Sequence, residues 1–434
     1  MAEDKTLRLT RIAEQILARC REIAQCTEVS GQTTRTFLSP PMHDVHKLLR
    51  NWMEAASMRV HVDGIGNLRG VYPSQEGASG PRLLIGSHLD TVPNAGAFDG
   101  ILGVVLGLAL VEELQGVRLP FAIEVIGFSE EEGVRFGKPF LGSLVLIGEF
   151  DEELLVQTDK LGIRVADAAR GFELDPATIQ DAALREGEAF GYLEVHIEQG
   201  PVLESETLKL GVVDAIVGQT RLEMTFLGQA NHAGTTPMAL RHDAMAAAAA
   251  WMVAVEAYAR GRAGLVATVG RVETKPGVGN VVAGEVIATL DLRHADDAVR
   301  HEAEQAMLAA AQHAATERGV RVASREMLQQ AAVPMDARLS ELLAAAAERA
   351  GYQARRMVSG AGHDAMIVAR KVPAAMLFLR SPGGLSHHPD EDVFVEDVEA
   401  AVATGLEFLR GLVDDGRLGR EHPTVREGVT DGDA

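Results

Sequence analysis

An apolar run at Leu83–Ile85 leads into His88, and a second, Phe121–Phe128, leads into Glu130, Glu131 and Glu132. Between them runs GSHLDTVPNAGAFDG, from Gly86 to Gly100. Its Asp99 is followed at once by an apolar segment, Ile101 to Leu114, that reads as a helix. Strand, helix and strand in this order form a βαβ unit, which requires parallel strands with covering helices. The same unit fixes where chemistry can sit, because open α/β sheets bind ligands beyond the carboxyl ends of their strands. A packed core has no use for His88, Asp90 and Asp99 in such a loop; a bound cation has.

The rhythm extends along the chain and is interrupted once. Residues 7–26 read as an amphipathic helix, 151–190 as polar and mainly helical, and AAMLFLR (374–380) as a late strand. Near Gly211 the character changes. In RLEMTFLG (221–228), Leu222, Met224 and Phe226 share one face, while Arg221, Glu223 and Thr225 share the other. Half-exposed antiparallel strands have this pattern. An Ala-rich helix (Asp243 to Ala259), strands near 264–273 and 281–293 and a helix from Asp297 to Arg318 follow. The β-α-β-β-α-β order predicts a two-layer, ferredoxin-like α+β domain inserted into a mostly parallel α/β domain. A chain of 434 residues also exceeds the size at which one core keeps growing. The expected division is a discontinuous catalytic domain (1–211 and 330–415), an inserted lid or dimerisation domain (212–329), and a polar, Gly-rich tail (416–434) without fixed structure.

The formal net charge is −21, which argues against nucleic-acid backbones and anionic membranes as partners. An anionic substrate would need a local positive site, either a metal or a placed arginine. Two cysteines, Cys20 and Cys26, cannot staple a chain of this size, so a reducing compartment is expected. The start, MAEDKTLRLT, has no apolar core of a signal peptide, and no apolar stretch reaches a bilayer span. The expectation is a soluble cytoplasmic protein.

Three further stretches carry candidate chemistry. The acidic triplet Glu130–Glu132 could be a solvated turn, but it closes a strand of a βαβ unit, and adjacent carboxylates raise each other's pKa. In YLEVHIEQGP (192–201), Leu193, Val195 and Ile197 alternate with Glu194, His196 and Glu198. In GGLSHHPDED (383–392), paired histidines stand beside acids just after a strand. Each piece alone has an ordinary alternative, either a satisfied histidine or a plain turn. Together they put His, Asp, Glu, His and His after strands of one sheet. Five N/O ligands without cysteine suit Zn²⁺, Mn²⁺ or Co²⁺. Five exceed the three of one catalytic zinc, and a carboxylate bridging two metals accounts for the number. A free glutamate beside such a pair points to activated water and hydrolysis.

The order GSHLDT, FDG, EEEGVRFG, HIEQGP, NHAGTTPM, GVGNVV, DLR, GAGHDA and SHHPDE resembles the amidase/hydantoinase/carbamoylase family over about residues 10–415. That family belongs to a larger group of dinuclear metallopeptidases that includes aminoacylase and carboxypeptidase G. The resemblance implies two divalent cations per subunit. His88 and His196 would hold one, Glu132 and His387 the other, and Asp99 would bridge them. His387 is chosen over His388 because the family's histidine directly follows Ser in an SH-x-P pattern. Glu131 would be the general base and Asp90 the support that orients His88; Glu130 receives no role.

The resemblance also implies substrate contacts. Arg293 would grip a substrate carboxylate, Asn280 and His232 the carboxylate or carbonyl end, and Gln199 a further part. His232 resembles a histidine that polarises the scissile carbonyl across the interface of a homodimer. The backbone of Gly360, Gly362 and His363 would wall the pocket. Arg293 as an ordinary strand ion pair and Asn280 as a turn residue are the bland alternatives. The implied reaction is hydrolysis of an N-carbamoyl-L-amino acid, allantoate or a related ureido acid, releasing ammonia and CO₂. An aminoacylase or dipeptidase is the rival enzyme; HIEQGP and EEGVRF disfavour it, because the peptidase branch usually lacks a histidine at the position of His196. A non-catalytic binding protein is the rival outside enzymes. GAGHDA (360–365) fits a dinucleotide fingerprint only formally, since no strand-turn-helix opens with it. GVRFGK (133–138) is too short for a P-loop, and neither G-x-S-x-G nor H-E-x-x-H occurs.

Overall fold

A computed structural model describes residues 2–77 and 80–416. The tail expected at 416–434 lies, from residue 417 on, outside the described residues. The strands are β1 (Arg59–Val62), β2 (Leu68–Tyr72), β3 (Arg82–His88), β4 (Ala122–Phe128), β5 (Ala189–Ile197), β6 (Leu210–Ile216), β7 (Gly218–Leu227), β8 (Asn231–His232), β9 (Val266–Lys275), β10 (Val281–Val282), β11 (Glu285–His294), β12 (Arg321–Gln330), β13 (Val333–Pro334), β14 (Ala354–Ser359) and β15 (Ala374–Leu379). The α-helices are α1 (Ala2–Ala24), α2 (Pro40–Ala55), α3 (Ile101–Glu113), α4 (Leu141–Ile147), α5 (Val165–Gly171), α6 (Val202–Ser205), α7 (Ala244–Arg260), α8 (Asp297–Thr316), α9 (Ala337–Ala350), α10 (Asp364–Val368) and α11 (Val395–Asp415). None of them is long and apolar enough to cross a membrane. The segment 151–190, expected to be mainly helical, holds α5 flanked by two short 3₁₀ turns.

The chain forms two compact units. The first runs to Val212 and adds Asp336–Arg355 and the chain from His363; the second holds Val213–Met335 and Arg356–Gly362. The inserted segment thus extends a few residues past the expected boundary at 330, because β13 pairs with the far end of β6. Residues 356–362, expected in the larger body, fall in the second unit. There Val217 N–H donates to Ser359 O (3.0 Å), and Arg356 Nε donates to Asp214 (2.8 Å).

In the first unit the sheet order is β1-β2-β4-β3-β5-β15-β6. The four central strands, β4, β3, β5 and β15, are parallel, and the flanking pairs are antiparallel. β4 and β15 are buried at every residue, and β3 at all but its first. Strands buried on both faces need cover on both faces, so they read as continuous apolar runs rather than alternating ones. Helix α3 supplies part of that cover and is apolar all round, buried from Ile101 to Val111. Gly103 lets it lie close: a Cβ there would stand 2.2 Å from Val195 O.

The second unit is an antiparallel sheet, β12-β7-β11-β9, with α7 and α8 packed on one face. β7 alternates as its sequence requires, with Leu222, Met224 and Phe226 buried against Trp251, Val286, Leu290 and Met307. Asp243 caps α7 through the N–H groups of Met245 and Ala246. The β-α-β-β-α-β order is as read, with β8 and β10 added as a two-residue ribbon in the connecting loops.

Candidate metal centre

The carboxyl ends of the four parallel strands converge, and each delivers a candidate ligand. His88 ends β3 and lies in register with Phe128 of β4; His196 of β5 lies in register with Phe378 of β15. Glu130–Glu132 follow β4, and His387 follows β15. His88, Asp99 and His196 form one group whose ligand atoms lie within 4.8 Å of one another; Asp99, Glu132 and His387 form a second. Asp99 belongs to both.

The tautomers follow from the neighbours. His88 Nδ1 lies 3.0 Å from the carbonyl of Asp90, and His196 Nδ1 lies 2.9 Å from that of Ile197. A carbonyl only accepts, so each Nδ1 donates, and in the neutral ring the Nε2 lone pair points away. Both lone pairs meet Asp99 Oδ1, at 3.4 Å for His88 and 3.1 Å for His196. On the other side, His387 Nε2 lies 3.3 Å from Asp99 Oδ2 and 3.4 Å from Glu132 Oε1. Asp99 Oδ1 and His196 Nε2 are buried without a hydrogen-bond partner among the described residues. Acceptors facing acceptors in a buried site demand positive charge between them. This donor set therefore fits cations.

The electrostatics show the same demand for positive charge, which a proton on the rings also meets. Burial alone would raise the Asp99 carboxyl, but the imidazoles of His196, His387 and His88 hold it well below the usual range. Burial opposes protonation of His88, yet Asp90 and Asp99 carry it well above its ordinary value. His387 rises to about 10 through Asp99 and Glu132. Glu131 is buried, and loss of water pushes its carboxyl well up; the neighbouring Glu132 adds to this.

Asp90 joins two ligand loops. Its Oδ1 accepts the N–H of Glu131 (2.9 Å) and its Oδ2 that of Glu132 (3.1 Å), while His88 Nδ1 lies 3.5 Å from Oδ1. Gln199 adopts a left-handed φ of 58°, and its Nε2 donates to Asp99 Oδ2 at 3.0 Å. Gln199 Oε1 is buried with no hydrogen-bond partner among the described residues. The His363 ring packs on His196, with centroids 4.5 Å apart. His388 stays apart from the cluster, exposed beside Asp390. Glu198 caps α6 by accepting the N–H groups of Val202 (2.7 Å) and Leu203 (2.9 Å).

The other sequence candidates stand on the second unit. His232 is exposed on β8, opposite Val281, and its Nδ1 accepts Gly234 N–H at 3.1 Å, which leaves Nε2 outward. Asn280 sits beside it and its carbonyl accepts Ala233 N–H at 2.9 Å. Arg293 is paired: Nε and Nη2 meet Asp291 at 2.8 and 3.1 Å, and Nη1 donates to Gly360 O at 2.6 Å. A guanidinium has five N–H donors, so two remain. Gly362 is exposed.

Two buried acids under the cluster carry no role in the sequence reading. Ser87 Oγ (3.0 Å), Tyr192 OH (3.0 Å) and Ala365 N–H (2.7 Å) surround Glu194. Glu391 accepts from the loop of Asp99. Glu194 could have been found from its place two residues before His196 on a strand buried on both faces. Glu391 offers no such signal, because its partners are 292 and 293 residues away.

Residues 84–411 match the model of "Peptidase family M20/M25/M40". The chain is 38% identical to "Allantoate deiminase 1" of Glycine max, over 92% of this chain and 90% of that protein. It is also 38% identical to "N-carbamoyl-L-amino acid amidohydrolase" of Geobacillus stearothermophilus, over 91% and 96%. A solved hydantoinase/carbamoylase family amidase from Burkholderia ambifaria superposes with a TM-score of 0.85 at 34% identity, covering 92% of this chain and 96% of that one.

Proposed function

The chain belongs to peptidase family M20/M25/M40, and within it we propose a metal-dependent amidohydrolase that cleaves the ureido C–N bond of a small carboxylate. Allantoate and an N-carbamoyl-L-amino acid are the substrates in view, with release of ammonia and CO₂. The names of the similar proteins support the bond type. The observation that carries the reading is the pair of imidazole lone pairs set against Asp99, with Glu131 alongside.

Two divalent cations of the Zn²⁺, Mn²⁺ or Co²⁺ class fit the site: His88 and His196 would hold one, Glu132 and His387 the other, and Asp99 would serve both. When bound, they polarise a carbonyl and bring the acidity of water to roughly pH 7. Glu131 accepts a proton as water attacks the ureido carbon, then delivers it to the leaving nitrogen as the C–N bond breaks. Asp90 keeps His88 and the Glu131–Glu132 loop in mutual register. Gln199 offers Oε1 to a ureido N–H.

The first unit would be the catalytic domain and the second a lid and dimerisation domain. Arg293, oriented by Asp291, would use its two remaining N–H donors on the substrate carboxylate. Asn280 and His232 would bind its carboxylate or carbonyl end, and the backbone of Gly360, Gly362 and His363 would wall the pocket. A homodimer in which His232 serves the partner's site is supported by the exposed apolar face of α7, where Met245 and Val253 are 45% and 68% exposed. The free thiols Cys20 and Cys26 suit a cytoplasmic protein.

The test is chelation followed by Zn²⁺, Mn²⁺ or Co²⁺, reading ammonia release from allantoate, N-carbamoyl-α-amino acids and N-carbamoyl-β-alanine. Ammonia from at least one is expected only with metal restored. Hydrolysis confined to N-acetyl amino acids or dipeptides would replace this reading with the aminoacylase one. Sedimentation of the native protein tests the dimer.

A further inference from the structure

The loop after β15 carries His387, but its reach extends to a second ligand. Ser386 Oγ donates to Asp99 Oδ2 at 3.0 Å and also receives Gln199 Nε2 at 3.1 Å. Glu391, only 5% exposed, turns its Oε1 to the backbone of the Asp99 loop. That oxygen accepts the N–H groups of Phe98 and Asp99, both at 3.0 Å. The loop closes on itself where Glu391 N–H donates to His388 O at 3.0 Å. Gly96 makes room for the contact: a Cβ there would lie 2.4 Å from Glu391 Cβ.

Residues 386–391 therefore hold Asp99 at both ends, the carboxylate through Ser386 and the backbone through Glu391. His387 lies between these two anchors with a left-handed φ of 55°. A non-glycine residue in that region is strained and persists only where its surroundings over-determine it. Burying Glu391 near another carboxylate is also unfavourable, and two amide donors to one oxygen offset part of that cost. A surface turn would need none of this.

We propose that Glu391, with Ser386, is a positioning residue for Asp99, holding it so that Oδ2 faces the cation shared with Glu132 and His387. The role is to set one ligand of a pair, and Glu391 itself touches neither cation nor substrate. The effect falls on the Oδ2 side, where Ser386 and His387 both act, and less on the side of His88 and His196.

This inference rests on the two-cation reading, and one titration tests both. Full-length protein is freed of metal with a chelator and titrated with Co²⁺, following heat and the visible absorption of bound cobalt. The wild type is expected to take two equivalents per chain. Glu391→Ala is expected to weaken the second equivalent by about 10- to 100-fold and leave the first nearly unchanged. Glu391→Gln keeps the Oε1 acceptor and is expected to restore the second equivalent to nearly wild-type affinity. Should Glu391→Ala not fold, Glu391→Asp, one methylene short of the two amides, takes its place in the comparison. Unchanged affinity and absorption in the Ala or Asp variant would overturn the proposal. A Gln variant as damaged as Ala would overturn it too, since charge rather than the acceptor would then be at work. A wild type that takes fewer than two equivalents would instead remove the two-cation reading beneath it.

Discussion

At the scale of single residues, the proposed mechanism separates proton transfer, given to Glu131, from metal binding. Glu131→Gln keeps the size of the side chain and removes the base. We predict that it binds two cations as the wild type does and loses about 10²- to 10⁴-fold in kcat. Metal analysis beside steady-state kinetics checks this, and substantial turnover would exclude Glu131 as the base. Arg293→Ala removes two free donors from the proposed carboxylate contact, while Asp291 keeps Arg221 and Gln219 as partners. A charged hydrogen bond contributes about 1.5–3 kcal/mol. KM for carboxylated substrates should rise about 10- to 100-fold with kcat less affected; an unchanged KM would return Arg293 to the status of a strand ion pair. The residues legible in the sequence were those whose chemistry is local: His88 ends a strand, and Asp90 two positions on shares its face. His387 and His388 are equal neighbours by spacing; the SH-x-P resemblance chose His387, and the turn geometry sets it beside Asp99 and Glu132 while His388 faces Asp390. Glu391 was not legible because a carboxylate among other acids looks solvated until its amide partners are seen.

At the scale of elements, the site depends on how closely α3 lies on β3 and β5. Gly103 faces Val195, beside the proposed ligand His196, and Ser87, beside the proposed ligand His88. Gly103→Ala puts a methyl group 2.2 Å from Val195 O and 2.9 Å from Ser87 Cβ, so the helix must move off the sheet. Overpacking of this kind costs about 1–3 kcal/mol. Denaturant unfolding should show that loss, and cobalt affinity should fall with it; a variant of wild-type stability would mean that α3 has slack at this contact. Strands β3, β4, β7, β9, β11 and β15 and helices α3, α7 and α8 were read from the sequence within a few residues because their periods differ so clearly: continuous apolar runs in the parallel strands, strict alternation in β7. Strands β1, β2, β6, β12 and β14 and helices α2, α9 and α11 received no bounds. The short pieces escaped. β8, β10 and β13 are two residues each, too short for any period to show, and they set the His232–Asn280 ribbon and the end of the inserted segment.

At the scale of the whole molecule, two linkages tie stability to solution conditions. His46, buried on α2 against Phe172, is held down to about 3, first by burial and then by His43 and Arg50. Its pKa is about 6.5 when unfolded. A depressed folded value means the unfolded chain binds the proton first, so this contribution is complete above about pH 6.5 and is lost as pH falls toward 3. Between pH 7 and pH 5 the loss is about 2 kcal/mol. Denaturant unfolding at both pH values should show a difference smaller by that amount in His46→Leu; an equal difference in both proteins would mean His46 does not titrate this way. Cations act through mass action: at a free concentration about 100-fold above Kd they add about 2.7 kcal/mol, which a chelator should remove and fresh metal restore. Melting that ignores both additions would argue against a cation site in the native fold.

The hydrogen bond between Glu391 and the amide of Asp99 joins residues 292 apart in the chain, and this has a consequence in time. At about 5–20 residues per second, translation leaves Asp99 without its anchor for roughly 15–60 s after it is made. During that interval the number of proposed ligands on the nascent chain rises from two, His88 and Asp99, to four with Glu132 and His196, and His387 arrives last, just before Glu391. On the proposed mechanism, activity waits for the chain to pass residue 391 rather than for its first half to fold. In timed cell-free synthesis, ureido hydrolysis should begin only with chains that have passed residue 391, however long the shorter chains are given to fold.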